Sequence, residues 1–237
     1  MLRYIILGLI LAGLFQVFFW ITQDNRISLK QDASERIESL SYSPYEGYDK
    51  KVLSPKQIEE DIGILLNFTN KVRTYSAADA KVILEETSKT NMMVDLGLWL
   101  SGDYEENFLE IERAAKLLEK YPNNINNVIV GNETLLRTDL NAAELGAYLD
   151  FMREFTNKPI TTAEVWHSLI KYPEIGTHVD FIMVHILPYW EKIPIDRFNE
   201  FVIEKYTLVE NQYPNKKIVI GETGWPSHGY NFNGAVP

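Results

Sequence analysis

The chain has 237 residues, of which 46% are hydrophobic and 24% charged, a balance that fits one large globular domain and excludes a disordered chain. A formal net charge of −10 argues against nucleic acid as a partner, because phosphate recognition needs a basic footprint. With no cysteine, neither disulfides nor thiolate metal sites can form.

From Tyr4 to Ile21 the sequence is almost uninterrupted apolar residues, long enough to cross a bilayer, and Phe18-Phe19-Trp20-Ile21-Thr22 lacks the small residues of a cleavage site. Residues 1–21 therefore predict an uncleaved single-pass membrane anchor, with the bulk of the chain on the periplasmic or extracellular side. Residues 22–36 are polar and mixed in charge, and read as a tether. Residues 37–237 carry the rhythm of a folded domain.

In that domain short apolar runs alternate with amphipathic stretches. The runs are Ile37–Ser43, Lys71–Ser76, Met92–Leu100, Asn127–Asn132, Pro159–Val165, Val179–Ile186 and Lys217–Glu222. Val128-Ile129-Val130 and Ile218-Val219-Ile220 lack in/out alternation, as parallel strands covered on both faces do. Between them, Ser54-Pro55-Lys56-Gln57 supplies an N-cap, a proline at the first helical position and a capping-box glutamine ahead of Ile58, Ile62 and Leu65. Asp103 with Glu106 opens a helix bearing Phe108, Ile111, Ala115 and Leu118; Asn141 with Glu144 opens one bearing Leu145, Leu149 and Met152. Repeated strand and helix predicts a parallel sheet with right-handed crossovers. Seven strands are one short of a (β/α)₈ barrel, so the fold class expected is an α/β TIM barrel truncated after its seventh strand, without the last βα unit.

Two of the runs end in a carboxylate. Lys217-Ile-Val-Ile-Gly-Glu-Thr-Gly-Trp-Pro226 delivers Glu222 to a stiff turn, and Asn127-Val-Ile-Val-Gly-Asn-Glu133 delivers Glu133. In (β/α)₈ enzymes the C-terminal strand ends form the active site. Two carboxyl groups about 5 to 5.5 Å apart there would suit a retaining glycosidase, one protonating the leaving oxygen and the other attacking the anomeric carbon. The bland alternative is that each glutamate caps a helix or pairs with an arginine such as Arg137. Arg73 at the end of the second run either keeps Glu222 charged or serves as a barrel salt bridge. His185 ends the sixth run and either orients a carboxylate or sugar hydroxyl or is an ordinary hydrogen-bonded barrel histidine. Tyr42, Tyr45, Tyr75, Trp99, Trp166, Tyr189, Trp190 and Trp225 fall in or just after strands, where aromatic faces can stack on sugar C–H faces. Trp225, Tyr189 and Trp166 are the leading members, with Glu164 and Glu191 as hydroxyl acceptors. The histidines form no metal-ligand pattern, and no nucleotide fingerprint is present.

At these residues the chain resembles glycoside hydrolase family 17, in the clan of retaining (β/α)₈ glycosidases, and especially its bacterial membrane-linked members acting on β-1,3-glucans. The resemblance spans residues 37–237. It rests on six ordered motifs: Ser41-Tyr-Ser-Pro-Tyr45, Val72-Arg-Thr-Tyr-Ser76, Val130-Gly-Asn-Glu-Thr-Leu-Leu-Arg137, Thr162-Ala-Glu-Val-Trp166, Val184-His-Ile-Leu-Pro-Tyr-Trp-Glu191 and Gly221-Glu-Thr-Gly-Trp-Pro-Ser227. It implies that Glu133 is the general acid/base and Glu222 the nucleophile, that Asn132 holds the substrate's 2-hydroxyl, and that no cofactor is needed. For such chemistry Glu133 should be protonated near neutral pH while Glu222 is ionised. The expected activity is hydrolysis of β-1,3-glucan or a related β-glucan by double displacement. The alternatives are a β-glucan transglycosylase and a non-catalytic glucan-binding module associated with a membrane glucan synthase.

Overall fold

The computed structural model describes residues 2–23, 36–46, 51–232 and 234–236, except for the side chains of residues 2, 5, 7, 9 and 19–23. In chain order the elements are α1 (Leu2–Gln23), β1 (Leu40–Ser41), β2 (Tyr45–Glu46), β3 (Lys51–Val52), α2 (Pro55–Leu65), β4 (Lys71–Arg73), α3 (Ala77–Thr87), β5 (Met93–Leu98), α4 (Tyr104–Lys120), β6 (Ile125–Asn132), α5 (Ala142–Arg153), β7 (Ile160–Val165), α6 (Trp166–Lys171), β8 (Ile182–His185), α7 (Phe198–Gln212) and β9 (Ile218–Glu222). Each of the seven expected strands is present, and all pair in parallel in the order β1-β4-β5-β6-β7-β8-β9. The two-residue strands β2 and β3 form a separate antiparallel pair that the apolar pattern did not announce.

The sheet curls almost into a barrel. Five strand spacings separate β4 from β9, about 24 Å in a flat sheet, yet Arg73 Nη1 on β4 lies 3.3 Å from Glu222 Oε1 on β9. Ile129, Ala163, Phe181 and Met183 fill the inner face, with Val219 against them. The outer face joins the larger core, where Val128, Val130, Ile160, Ile182 and Val184 meet Ile58, Ile62, Leu145, Leu149 and Met152 from the helices.

Helix starts follow the side chains that satisfy free amides. Ser54 and Gln57 make a reciprocal capping box at α2, and Asn141 and Glu144 make one at α5. At α4 Asp103 accepts from the Glu106 N–H, but the Glu106 carboxylate turns to Arg113 instead of closing the box. Phe108 is exposed rather than buried, and stacks edge-on against Tyr148 and Phe151. Gly97 on β5 has a packing reason: a Cβ there would sit 2.0 Å from the Thr74 carbonyl oxygen.

The N-terminal expectation is corrected. The backbone of α1 is helical over Leu2–Gln23. Among the described residues no helix is long and apolar enough to cross a membrane. This overturns the single-pass anchor and the periplasmic or extracellular placement that rested on it. Most of the expected tether, residues 24–35, lies outside the described residues.

Candidate active site

Parallel strands put their C-terminal ends on one rim, so side chains far apart in sequence converge there. Arg73 ends β4, Asn132 ends β6 with Glu133 next, His185 ends β8 and Glu222 ends β9. Gly131 at φ +85° and Glu133 at φ +52° turn the chain sharply out of β6, and the Glu133 N–H donates to the Ala163 carbonyl at 2.7 Å. Left-handed backbone at a glutamate costs free energy, and it persists only where neighbouring contacts fix it.

Arg73 is the hub. Its buried guanidinium donates through Nη1 to Glu222 Oε1 at 3.3 Å and to His185 Nε2 at 3.0 Å, and through Nη2 to Asn132 Oδ1 at 2.5 Å. Because arginine only donates, His185 Nε2 must accept. The proton therefore sits on Nδ1, which donates to Glu133 Oε1 at 2.8 Å. Arg73 likewise orients the Asn132 amide, because its Nη2 donates to Oδ1. Tyr75 donates to the same Glu222 Oε1 at 2.8 Å, so two donors converge on that oxygen. The guanidinium also lies 4.9 Å from the Tyr75 ring centroid.

One ligand atom from each of Glu133, His185 and Glu222 falls within a 4.8 Å cluster, which puts the two carboxylates at the close spacing of a retaining site. Three such groups could hold a metal ion, but Arg73 already presents fixed positive charge to Glu222 and His185. The donor set suits acid/base and nucleophilic chemistry better.

The electrostatics differ from expectation in one respect. The His185 N–H holds the Glu133 carboxyl below the ordinary carboxylate value, and Arg137 and Arg73 act in the same direction against partial burial. Glu133 is thus not the protonated member in the unliganded site. That property belongs to Glu164, which burial pushes up to about 7. Burial lowers Arg73 against the pull of Glu222, and burial raises Tyr75.

Around this centre the predicted residues separate. A cavity of about 1210 Å³ is lined by Arg73, Tyr75, Tyr189, Trp190 and Glu222, and runs down the inner face to Asp95. Tyr189 is nearly buried and gives its hydroxyl to the Tyr230 carbonyl, so it supports the rim rather than offering a hydroxyl. Trp225 packs edge-on against Tyr189 and Phe198 and donates from Nε1 to the Val236 carbonyl at 2.8 Å. Trp190, 61% exposed, presents the more open aromatic surface of this group. Trp166 and Glu191 spend their polar atoms on each other at 2.7 Å, and Lys205 lies 4.6 Å from the Trp166 ring centroid.

Two candidates are corrected. Tyr42 packs on the outer core and donates to Asp61 of α2 at 2.7 Å, away from the rim. Glu164 is 0% exposed and cannot meet a sugar hydroxyl. Arg137 does not pair with either catalytic candidate: it binds Asp139, the Asn132 carbonyl and the Leu100 carbonyl, and lies 4.4 Å from the exposed Trp99 ring. Sequence reasoning missed this clamp, although the arginine's place four residues after Glu133, on the same turn, was a signal for it.

Residues 39–237 match the model of the BtgE/BtgC glycoside hydrolase domain. The chain belongs to that family. A probable glucan endo-1,3-β-glucosidase (btgC) of Aspergillus clavatus is 27% identical over 200 residues, covering 75% of this chain and 28% of the relative. A glucan 1,3-β-glucosidase of Schizosaccharomyces pombe is 27% identical over 195 residues, covering 74% of this chain and 60% of the relative. The glycoside hydrolase family 17 β-1,3-glucanosyltransferase of Rhizomucor miehei superposes with a TM-score of 0.76 at 28% identity, over 84% of this chain and 75% of that one. An active-site mutant of that enzyme, in complex with laminaritriose, gives the same TM-score at 27% identity. The family 17 resemblance read from the motifs therefore holds. The chain spans less than two thirds of the length of each of these two curated relatives.

Proposed function

We propose that this BtgE/BtgC-family domain is a retaining glycosidase of β-1,3-linked glucans. The observation that carries the reading is the close Glu133–Glu222 pair, with Arg73 and Tyr75 both donating to one oxygen of Glu222. Those donors fix Oε1 and leave Oε2 to attack. Glu222 Oε2 bonds to the anomeric carbon as the glycosidic C–O bond breaks and the leaving oxygen takes a proton from Glu133. Glu133 then removes a proton from an incoming water, whose oxygen displaces Glu222 as a carboxylate. The Asn132 Nδ2 donor, oriented by Arg73, serves the 2-hydroxyl of the bound sugar.

His185 holds Glu133 as a carboxylate in the empty cleft, so the acid role requires substrate to displace water and raise Glu133. The likeness to a β-1,3-glucanosyltransferase supports a second reading, in which a sugar hydroxyl replaces water in the second step. The seven strands fit seven positions of a (β/α)₈ barrel, a reading supported by the same superposition.

Incubation with laminari-oligosaccharides, with product lengths followed over time, tests both readings. Shorter products alone indicate hydrolysis; products longer than the substrate indicate transfer. A 2-deoxy-2-fluoro-glucoside should label Glu222. Labelling of another residue, with Glu222→Gln still active, would overturn the assignment.

A further inference from the structure

Glu164 is a carboxyl group that the proposed chemistry does not use. On β7 Ala163 belongs to the inner face, so Glu164 points the other way, into the apolar layer between sheet and helices, level with Val184 on β8. It is wholly buried. Its Oε1 accepts the Leu135 N–H at 2.8 Å, and its Oε2 has no partner among the described residues. A buried carboxylate with an unpaired oxygen is costly, whereas a carboxylic acid carries its proton there at far lower cost. The charged groups acting on it are Glu133 and Arg137, both on the turn it supports.

The turn explains the use. Glu133 leaves β6 in the left-handed region and is followed by a tight run closed by Thr138 at φ +57°. Consecutive residues of β7 hold it, Ala163 through the Glu133 amide and Glu164 through the Leu135 amide. Resting on the functional reading above, we propose that Glu164 is a positioning residue for Glu133: a neutral carboxylic acid that anchors the turn from behind. Its ionisation would put a second negative charge behind Glu133 and into an apolar layer. The shift of Glu164 toward neutrality agrees with this geometry.

The test compares Glu164→Gln and Glu164→Leu in kinetics on laminari-oligosaccharides across pH, together with infrared spectra of the carboxyl C=O region. Glutamine keeps the acceptor and the shape without a titrating proton. If ionisation of Glu164 lowers wild-type activity as the proposal requires, this variant should retain kcat and lack that fall. Leucine cannot accept from Leu135 and should lower kcat roughly 10- to 100-fold, with KM nearly unchanged. The wild type should show a protonated-carboxyl band, titrating near neutrality, that is absent from Glu164→Gln. An unchanged kcat in Glu164→Leu, or an identical band in Glu164→Gln, would overturn the proposal. If no form turns over glucan, the functional reading fails and infrared decides alone. The Glu133 band, identified with Glu133→Gln, must then titrate at a different pH in Glu164→Leu, and an unmoved band overturns the positioning role.

Discussion

Replacing Glu164 by glutamine should stabilise the protein at neutral and alkaline pH relative to acid pH. Burial moves this group from the usual 4.5 to about 7. Below the lower value both folded and unfolded chains hold the proton, and the group contributes no pH dependence. As pH rises, the unfolded chain ionises first, and stability is lost progressively until the folded protein also ionises near 7. At about 1.4 kcal/mol per pH unit the interval corresponds to a loss of about 3 kcal/mol, constant above it. Glutamine does not titrate, so the stability difference between variant and wild type should grow by up to that amount between pH 4 and pH 8. Glu133, shifted in the opposite direction, is present in both proteins and enters the difference only through its coulombic coupling to Glu164. Urea unfolding followed by circular dichroism at the two pH values measures it. A difference of the same size at both would refute the assignment of a buried neutral acid.

Tyr75→Phe removes one of the two donors to Glu222 Oε1 and should lower kcat/KM about 10-fold, the value of one hydrogen bond to a charged group, in steady-state assays on laminari-oligosaccharides. His185→Phe removes the largest influence holding Glu133 down, so the Glu133 carboxyl, followed by its infrared band, should titrate at higher pH. Movement to lower pH would contradict the hydrogen bond from Nδ1. Gly97→Ala drives a methyl group into the Thr74 carbonyl and should cost about 3 kcal/mol or more, visible as a lowered midpoint in thermal unfolding.

The strands were legible because runs such as Val128-Ile129-Val130 and Ile218-Val219-Ile220 are short and β-branched, and lie between helix signals whose side chains do cap amides in the structure, as Ser54 and Asn141 do. Glu133 and Glu222 were legible because a carboxylate after a buried run has few destinations other than the rim. Glu164 looked similar but lies inside β7, where alternation sends it to the helix side; the small inward Ala163 was the clue. Tyr42 follows a strand of only two residues, too short for alternation to fix its direction. The hydrogen bonds of Arg73 to Asn132, His185 and Glu222 join four strands, and no local pattern encodes such partners. Nor could residue types alone reveal that His185 would lower Glu133, since that depends on a tautomer imposed by Arg73.

The span of Arg73 across the curled sheet also bears on when the protein becomes competent. Its partners on β8 and β9 lie 112 and 149 residues further along the chain, so these contacts have among the longest loop closures the fold can require. Synthesis from the N-terminus completes β4 long before the last strand exists, and the arginine must wait without its anionic partner. The carboxylate pair cannot assemble until β9 docks. Recovery of glucan turnover during refolding should therefore trail the appearance of helical signal, making catalysis a clock for the final step of folding.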